Sequence, residues 1–140
     1  VDNNQTEWFE EMQNLFPEYI HYKGLVPFDK SVEVLVHYDA LLFPTYYEGE
    51  GFAGTVIDAL ASGVPIIASD WRYNSELIKS YSNGILVKCK DVDELVSGLR
   101  YLHENVEDWN RMKVNCLRES ASYLPENALK VLIDRMKNRE

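Results

Sequence analysis

The chain has 140 residues, of which 46% are hydrophobic and 26% are charged, and its formal net charge is −9. This length and composition are those of one globular domain that buries its own core. The negative charge argues against a nucleic-acid partner and against a surface for anionic lipid, because both need a basic face. No apolar run is long enough to span a membrane, and no signal peptide opens the chain. We therefore expect a cytoplasmic location without direct membrane insertion.

The thiols and imidazoles show no metal-ligand spacing. Cys89 and Cys116 lie far apart in sequence and are expected to be free thiols in a reducing compartment, with a disulfide as the alternative. Three histidines fall in separate predicted elements, at His21, His37 and His103. We therefore expect no metal site.

The first third of the chain predicts two helices around one strand. Apolar residues at helical spacing predict a helix over residues 5–16. Residues 19–23 predict a short strand that ends at Gly24. Asp29 is expected to cap a second helix over residues 30–37. The apolar residues of this helix that would face inward are Val32, Leu35 and Val36.

The middle third alternates apolar strands with helices. The predicted strands are residues 39–44, Ile66–Ser69 and Gly84–Val87. A helix over residues 55–62 follows the first strand and ends at Gly63, and Pro65 prevents its continuation. Asn74 is expected to cap a short helix after the second strand. Short connections between buried strands and helices predict an α/β fold, with a parallel sheet covered on both faces.

The last third is predicted to be helical. Asp91 and Glu94 form a capping box for a helix that reaches about His103. Further helical stretches are predicted near residues 108–119 and 126–138. No internal repeat or low-complexity tract interrupts the pattern, so a single domain is expected.

An acidic glycine turn, residues 48–53, follows the first apolar strand and opens the helix at 55–62. Glu50 lies in this turn, and Asp58 follows on the helix with seven residues between them. In an open parallel sheet, ligands bind beyond the carboxyl ends of the strands, and a helix N-terminus offers unpaired N–H groups to phosphate. The combination suits a nucleotide-sugar, with the diphosphate at the helix end and hydroxyls on the carboxylates.

Each of these residues also has a structural alternative. Thr55 and Asp58 have the spacing of a capping box, so Asp58 is expected to cap the helix, to bind ribose, or to do both. Acidic residues before a helix are favoured by its macrodipole, and glycines can serve a tight turn alone. Residues 71–73, after the second strand, are expected either to pack under the turn or to line the pocket.

The segment EGEGFAGTVIDALASGVPIIASD, residues 48–70, resembles the donor-site signature of the group-one glycosyltransferases of GT-B fold. Glu50, Gly51 and Phe52 match its opening, and Asp58 stands at its second acidic position. The remaining matches are Ala59, Ala61, Gly63, Pro65 and Ser69. Flanking segments that also resemble the family are FPT at 43–45, YKGLVP at 22–27, NGILVK at 83–88 and DVDELVSGL at 91–99.

The resemblance implies a Rossmann-like C-terminal donor domain and a role for each matching residue. Glu50 would be the catalytic-site carboxylate that accepts hydrogen bonds from the donor sugar, and Asp58 would bind the ribose. The residues that would face the donor sugar and diphosphate are Gly51, Phe52, Ala53, Gly54 and Thr55. Gly24 and Val26 would line the nucleobase. The resemblance further implies a UDP-, GDP- or ADP-sugar donor, retention of anomeric configuration, and no metal or other cofactor.

Two departures from the family pattern shape the prediction. Asp58 is one methylene shorter than the Glu that the family usually has at this position. The Gly-Arg strand and the following Lys that clamp the diphosphate in the family have no match here, and neither does the N-terminal acceptor domain. We therefore expect residues 1–140 to be one partial donor domain, truncated at its N-terminus and inactive alone. By the family's strand order, the missing pair of strands would lie in the sheet between the strand at 19–23 and the strand at 40–44.

The function predicted from this resemblance is donor binding in a capsule- or exopolysaccharide-type transferase. The missing N-terminal part would bind a saccharide or lipid-linked acceptor. Any peripheral membrane contact would also lie in that part. The alternative is a non-catalytic nucleotide- or sugar-binding or interaction domain of the same fold.

Overall fold

The computed structural model describes residues 5–137, without the side chain of residue 131. Its strands are β1 (Leu41–Phe43), β2 (Ile66–Ser69) and β3 (Gly84–Val87). Its α-helices are α1 (Thr6–Gln13), α2 (Ser31–Leu35), α3 (Gly54–Ala61), α4 (Asn74–Leu77), α5 (Val92–Glu104), α6 (Val106–Ser120), α7 (Pro125–Ala128) and α8 (Lys130–Lys137). Short 3₁₀ turns cover Phe28–Lys30 and Ala121–Tyr123. None of the helices between residues 5 and 137 has the length and apolar character needed to cross a bilayer.

The three strands form a parallel sheet in the order β1-β2-β3. Leu41 lies opposite Ile66, and Ile66 lies opposite Gly84. All four residues of the central strand β2 are buried. The predicted α/β fold with a parallel sheet is therefore confirmed, and the second and third strands have the predicted bounds.

Strand β1 differs from the prediction in length and in burial. It covers Leu41–Phe43 within the predicted residues 39–44, and Leu42 leaves 42% of its surface exposed. In the described part of the chain β1 pairs only with β2, so it is an edge strand. The prediction of a fully buried strand is wrong because apolar composition alone does not show whether a second neighbouring strand is present.

Helices cover both faces of the sheet, as predicted. Alternate side chains of a strand point to opposite faces, and those of β2 enter two different clusters. Ile66 and Ala68 pack with the α3 residues Val56, Ala59 and Leu60. On the other face, Ile67 packs with side chains of β3 and α5. The α6 helix contributes to both clusters, through Cys116 in the first and Met112 in the second.

Residues 19–23 do not form the predicted strand. The segment has no regular structure beyond a turn in which the Ile20 N–H donates to the Pro17 carbonyl at 2.9 Å. Phe9 of α1 meets Tyr22 edge to face at 5.0 Å between ring centroids. The prediction is wrong because strand pairing needs a neighbouring strand, and none lies beside this segment among residues 5–137.

The predicted cap of the second helix is also wrong. Asp29 lies inside the 3₁₀ turn, so α2 begins at Ser31 after Lys30, and no side chain caps it. Of the residues expected to face inward, Leu35 packs against the core, whereas Val32 and Val36 are exposed. Packing against α3 covers one side of α2, which is too little to bury three apolar residues.

The helix predicted at 55–62 is confirmed as α3, and Gly63 follows it with a φ of +67°. Asn74 is the first residue of α4 but does not cap it. Its Nδ2 donates instead to the Ser69 carbonyl at 3.0 Å, so this buried amide ties α4 to the end of β2. The capping prediction failed because α4 begins at Asn74 itself, so Tyr73 stands at the cap position.

The predicted C-terminal helices are present. The Glu94 N–H donates to Asp91 Oδ1 at 3.0 Å, which confirms the cap of α5. The carboxylate of Glu94 reaches the Lys88 N–H, at 2.6 Å, rather than returning to Asp91. The α6 helix contains the predicted stretch 108–119, and residues 126–137 divide into α7 and α8. Residue 138, the last of that prediction, lies outside the described residues.

Candidate functional site

The acidic glycine turn connects the carboxyl end of β1 to the N-terminus of α3. This edge of a parallel sheet is where open α/β folds bind ligands. Three residues of α3 are buried against the sheet, at Val56, Ala59 and Leu60. The helix is therefore a rigid support, and residues at its first turn keep a fixed position relative to the strand ends.

Glu50 is half-buried and is oriented by a local hydrogen-bond network. The Thr45 hydroxyl donates to Glu50 Oε2 at 3.0 Å, and the Tyr47 N–H donates to that hydroxyl oxygen at 3.2 Å. The Glu50 N–H donates to the Tyr47 carbonyl at 3.1 Å. Within residues 5–137 the structure gives Glu50 Oε1 no donor. One carboxylate oxygen is thus fixed and the other is available to a hydroxyl ligand.

Trp71 braces the same turn from the neighbouring strand end. Its Nε1–H donates to the Tyr47 carbonyl at 2.9 Å. Arg72, which has a φ of +51°, places its guanidinium carbon 5.3 Å from the centroid of the Trp71 ring system. Of the two alternatives for residues 71–73, packing against the turn is the one seen for Trp71.

The backbone of the turn is open at the start of α3. No acceptor for the N–H groups of residues 51–55 is found in the described part of the chain. The first α3 bond joins the Val56 N–H to the Ala53 carbonyl at 3.0 Å. A Cβ atom added at Gly51 or Gly54 would meet nothing within 4 Å. Several N–H groups without an acceptor in the described residues therefore gather at a helix N-terminus, where partial positive charge accumulates.

The predicted capping box of α3 is wrong. The N-cap is Ala53, whose side chain has no acceptor, and no side-chain bond caps the helix. Thr55 is the second helical residue, so its hydroxyl does not stand at the cap position. Asp58 is consequently not a capping partner, and its carboxylate accepts a hydrogen bond from another helix.

Asp58 is half-buried on α3 and contacts α2. The Ser31 hydroxyl, on the first residue of α2, donates to Asp58 Oδ2 at 2.7 Å. Sequence reasoning missed Ser31 because it lies 27 residues away and a serine at the start of a helix suggests only a local cap. The Ser62 hydroxyl donates to the main-chain carbonyl of Asp58 at 2.6 Å. Of the two predicted carboxylates, Glu50 thus precedes the first residue of α3 and Asp58 lies within the helix.

Gly24 and Val26 lie in the irregular segment that leads into α2. Gly24 has a φ of +80°, which favours glycine, and Val26 is exposed. The helix that follows this segment, α2, contacts α3 through the hydrogen bond from Ser31 to Asp58. The nucleobase role of Gly24 and Val26 stays a prediction.

A cavity of about 240 Å³ lies at the carboxyl ends of the three strands. Its lining includes Pro44 and Tyr46 after β1, Ser69 of β2, Val87 of β3, and Lys88 and Lys90. Lys90, with a φ of +63°, places its Nζ 4.6 Å from the centroid of the Tyr46 ring. Lys90 is therefore a basic residue at this edge of the sheet.

A second cavity, of about 310 Å³, lies at the other end of the sheet. It is lined by Asp39 and Ala40 before β1 and by α5 and α6 residues that include His103 and Trp109. Because it opens at the amino ends of the strands, it is remote from the acidic glycine turn.

Neither thiol forms a disulfide. Cys116 is buried, and its Sγ–H donates to the Asn83 carbonyl at 3.2 Å. Burial, with a smaller contribution from the charge of Glu119, raises the pKa of Cys116 to about 12. Among residues 5–137, no group of three or more His, Cys, Asp or Glu side chains is placed to hold a metal ion. That the reaction needs no metal stays a prediction.

Comparison with known proteins supports the predicted family. The sequence model of the family described as glycosyl transferases group 1 matches residues 3–117. An uncharacterized glycosyltransferase of Methanocaldococcus jannaschii is 29% identical over 86 residues, which are 61% of this chain and 22% of that protein.

Two solved structures share the fold. Sucrose-phosphate synthase of Thermosynechococcus elongatus superposes with a TM-score of 0.77 at 18% identity, over 97% of this chain and 33% of that chain. The Anabaena protein HepE, determined in complex with UDP, superposes with a TM-score of 0.67 at 16% identity, over 77% of this chain and 29% of that chain. The chain thus spans between 22% and 33% of the length of these three proteins.

The parallel sheet with helices on both faces is a Rossmann-like domain of GT-B type, as these superpositions show. The family's sequence model covers most of the chain and includes the acidic glycine turn and all three strands. The chain belongs to the glycosyl transferases group 1 family.

Proposed function

We propose that this chain is the donor-binding part of a retaining glycosyltransferase. It would serve the transfer of a hexose from a nucleotide-diphosphate sugar to a polysaccharide or glycolipid acceptor. The observation that carries the proposal is the open N-terminus of α3, with one carboxylate, Glu50, just before it and another, Asp58, one turn inside it.

The N–H groups of residues 51–55 would bind the diphosphate. Negative charge accumulates on the leaving diphosphate as the glycosidic bond breaks, and fixed N–H dipoles stabilise that charge without reorganising. Such donors act more strongly in a site that excludes water, because the local dielectric constant is low. The buried anchorage of α3 keeps these dipoles in place.

The two carboxylates would bind hydroxyl groups at opposite ends of the donor. Glu50 Oε1 would accept from a hydroxyl of the transferred sugar, while Thr45 holds Oε2. Asp58 would accept from the ribose, as acidic residues do in other Rossmann-like nucleotide sites. Gly24 and Val26 would line the base.

The relatives support a nucleotide-sugar donor and guide the choice of probes. HepE is described in complex with UDP, so UDP is the first nucleotide to test, with GDP and ADP beside it. We propose that no metal or other cofactor takes part, and that the acceptor is bound by protein outside residues 1–140. A cytoplasmic enzyme of capsule or exopolysaccharide synthesis fits this proposal.

A second candidate is a domain that binds the donor without turning it over. The observation in its favour is electrostatic. Lys30 pairs with Glu33 at 2.9 Å and Arg72 stacks on Trp71, so among residues 5–137 no hydrogen bond or ion pair joins a Lys or Arg to the turn. The diphosphate would then be bound by backbone N–H groups without a basic side chain.

Isothermal titration of the chain with UDP, GDP and ADP, and with UDP-glucose, GDP-glucose and ADP-glucose, tests donor binding. We expect Asp58→Asn to weaken binding of the matching nucleotide about tenfold, because a hydrogen bond to a charged group contributes about 1.5–3 kcal/mol. Glu50→Gln should weaken the nucleotide-sugar but not the free nucleotide. Glu48→Gln is the matched control, since Glu48 is an exposed acid of the same turn.

The proposal fails if no nucleotide binds the folded chain, or if Glu48→Gln has the same effect as the other two substitutions. Donor hydrolysis separates the two candidate functions. A transferase, assayed in the longer protein, should release sugar from the nucleotide-sugar with its anomeric configuration retained, as followed by ¹H NMR. A binding domain should bind the donor and release none.

A further inference from the structure

The contact between Ser31 and Asp58 joins two helices at the predicted ribose site. The Ser31 hydroxyl donates to Asp58 Oδ2 at 2.7 Å in a partly buried setting, and the Phe28 carbonyl lies 3.0 Å from the same hydroxyl. A charged carboxylate is the stronger acceptor of the two, so the proton points to Asp58. The Ser31 oxygen therefore keeps lone pairs for a further donor.

We propose that Ser31 and Asp58 form a two-residue ribose site, in which Ser31 orients the Asp58 carboxylate and accepts a hydrogen bond from a second ribose hydroxyl. The proposal rests on the proposed function, because it identifies what selects the nucleoside of that donor. It makes Ser31 a determinant of the choice between ribose and deoxyribose.

The chemistry of the pair matches a vicinal diol. Within residues 5–137 the structure gives Asp58 Oδ1 no donor, so Oδ1 and the Ser31 oxygen are two neighbouring acceptors. The 2′- and 3′-hydroxyls of ribose are two neighbouring donors. A deoxyribose offers one donor and leaves the other acceptor without a partner, which costs affinity when the site is partly desolvated.

The pair also accounts for the shorter acidic side chain. Asp58 reaches one methylene less far from α3 than a glutamate would. Ser31 is the first residue of α2, which follows the irregular segment with Gly24 and Val26 in the chain. Its hydroxyl, in contact with Asp58 Oδ2, adds an acceptor beside the shorter carboxylate.

A purely structural role for Ser31 would be to tie α2 to α3, and Ser62 provides the matched control for it. The Ser62 hydroxyl donates to the Asp58 main-chain carbonyl and lies 3.3 Å from the Val32 carbonyl. Ser62→Ala thus removes a hydroxyl between the same two helices without touching the Asp58 carboxylate.

The test is isothermal titration of the 140-residue chain with UDP, GDP and ADP and with the 2′-deoxy and 3′-deoxy forms of each. We expect the unmodified chain to prefer the ribonucleotide over at least one deoxy form about tenfold. Ser31→Ala should remove the preference over the deoxy form that lacks the hydroxyl bound by Ser31, because it weakens the ribonucleotide more than that form. Ser31→Thr should restore it, because the hydroxyl returns, and Ser62→Ala should keep it.

Thermal unfolding of each variant shows whether it is folded, and Ser31→Cys replaces Ser31→Ala if the alanine variant is not. The proposal is overturned if Ser31→Ala weakens the ribonucleotide and both of its deoxy forms equally, or if Ser62→Ala also removes the preference. It is likewise overturned if the chain binds ribo and deoxy forms equally well while Asp58→Asn still weakens nucleotide binding. That result would leave the proposed function intact. If no nucleotide binds the unmodified chain, both proposals fall.

Discussion

The segment before β1 and the segment from the turn to α6 differ in burial although both contain helices. Among the described residues, 5–40 include no buried residue, whereas the buried apolar residues all lie between Ala53 and Cys116. Helix α1 and helix α3 have the same length of eight residues, yet α1 buries none and α3 buries three. Apolar periodicity thus specified a helix in both segments, and contact with the sheet decided which helix contributes to the core.

The candidate site is divided between these two regions. Glu50, the open N–H groups and Asp58 are carried by the turn and by α3, which are anchored to the sheet. Ser31, Gly24 and Val26 belong to the exposed segment before β1. The sugar, the diphosphate and the ribose hydroxyl on Asp58 would therefore meet a rigid surface, and the base would meet residues with few packing restraints.

The largest effect is expected from a pair of leucine-to-alanine substitutions, one in each region. Leu60→Ala removes a fully buried side chain of α3, and Leu25→Ala removes one that is 90% exposed in the segment before β1. We expect Leu60→Ala to lower the free energy of unfolding by about 2–5 kcal/mol, and Leu25→Ala to change it by less than about 0.5 kcal/mol. Urea denaturation measures both. Equal losses would show that the exposed segment packs as tightly as the core.

A second pair compares two glycines. A Cβ atom at Gly84 in β3 would overlap the Ile66 carbonyl oxygen of β2, whereas one at Gly51 would meet open space. We expect Gly84→Ala to destabilise the fold by about 1–3 kcal/mol through forced strand separation. Gly51→Ala should leave the urea midpoint almost unchanged. A stable Gly84→Ala variant would mean that β2 and β3 are less closely paired than the structure shows.

A third prediction concerns pH and the buried thiol. The Cys116 pKa of about 12 in the folded chain lies above the ordinary thiol value of 9.0, which applies to the unfolded chain. Well below pH 9 the thiol is neutral in both states. At higher pH the unfolded thiol ionises first, so the unfolded state binds fewer protons and stability falls until about pH 12.

Between pH 7.5 and pH 9.5 this ionisation should remove about 1 kcal/mol of unfolding free energy. Urea denaturation at the two pH values measures the loss. Cys116→Ala lacks the titrating group and should lose less over the same range. Identical pH dependence in both proteins would show that the thiol is accessible to water in the folded state.

The smallest effect is expected where the turn meets the core. Trp71→Phe keeps an aromatic ring but loses the N–H that donates to the Tyr47 carbonyl. We expect a loss of about 0.5–1 kcal/mol in unfolding free energy. Trp8→Phe on α1, where the ring is mostly exposed, is the control and should be neutral. An equal effect of the two substitutions would mean that Trp71 does not brace the turn.

Local patterns predicted much of the fold. The apolar strands β2 and β3, the Gly63 end of α3 and the Asp91 cap of α5 depend on residues close in sequence, and all are confirmed. The strand at 19–23 and the burial of β1 failed because both depend on a neighbouring strand, which a local pattern does not encode.

The side-chain contacts of the site were less predictable. The position of the turn at the strand ends follows from the α/β pattern. The partners of Asp58 and the placement of Lys90 depend on contacts between distant parts of the chain. Capping of α3 by Thr55 was one alternative that its spacing from Asp58 suggested, whereas the backbone places Ala53 at the cap.

The most direct test of the donor site is an amide-resolved NMR titration of the chain with UDP, GDP and ADP. The account predicts that one of these nucleotides shifts the N–H resonances of residues 51–55 most strongly, with smaller shifts around Ser31 and Asp58. Shifts concentrated at the cavity beside Trp109, or no shift with any of the three nucleotides, would contradict it.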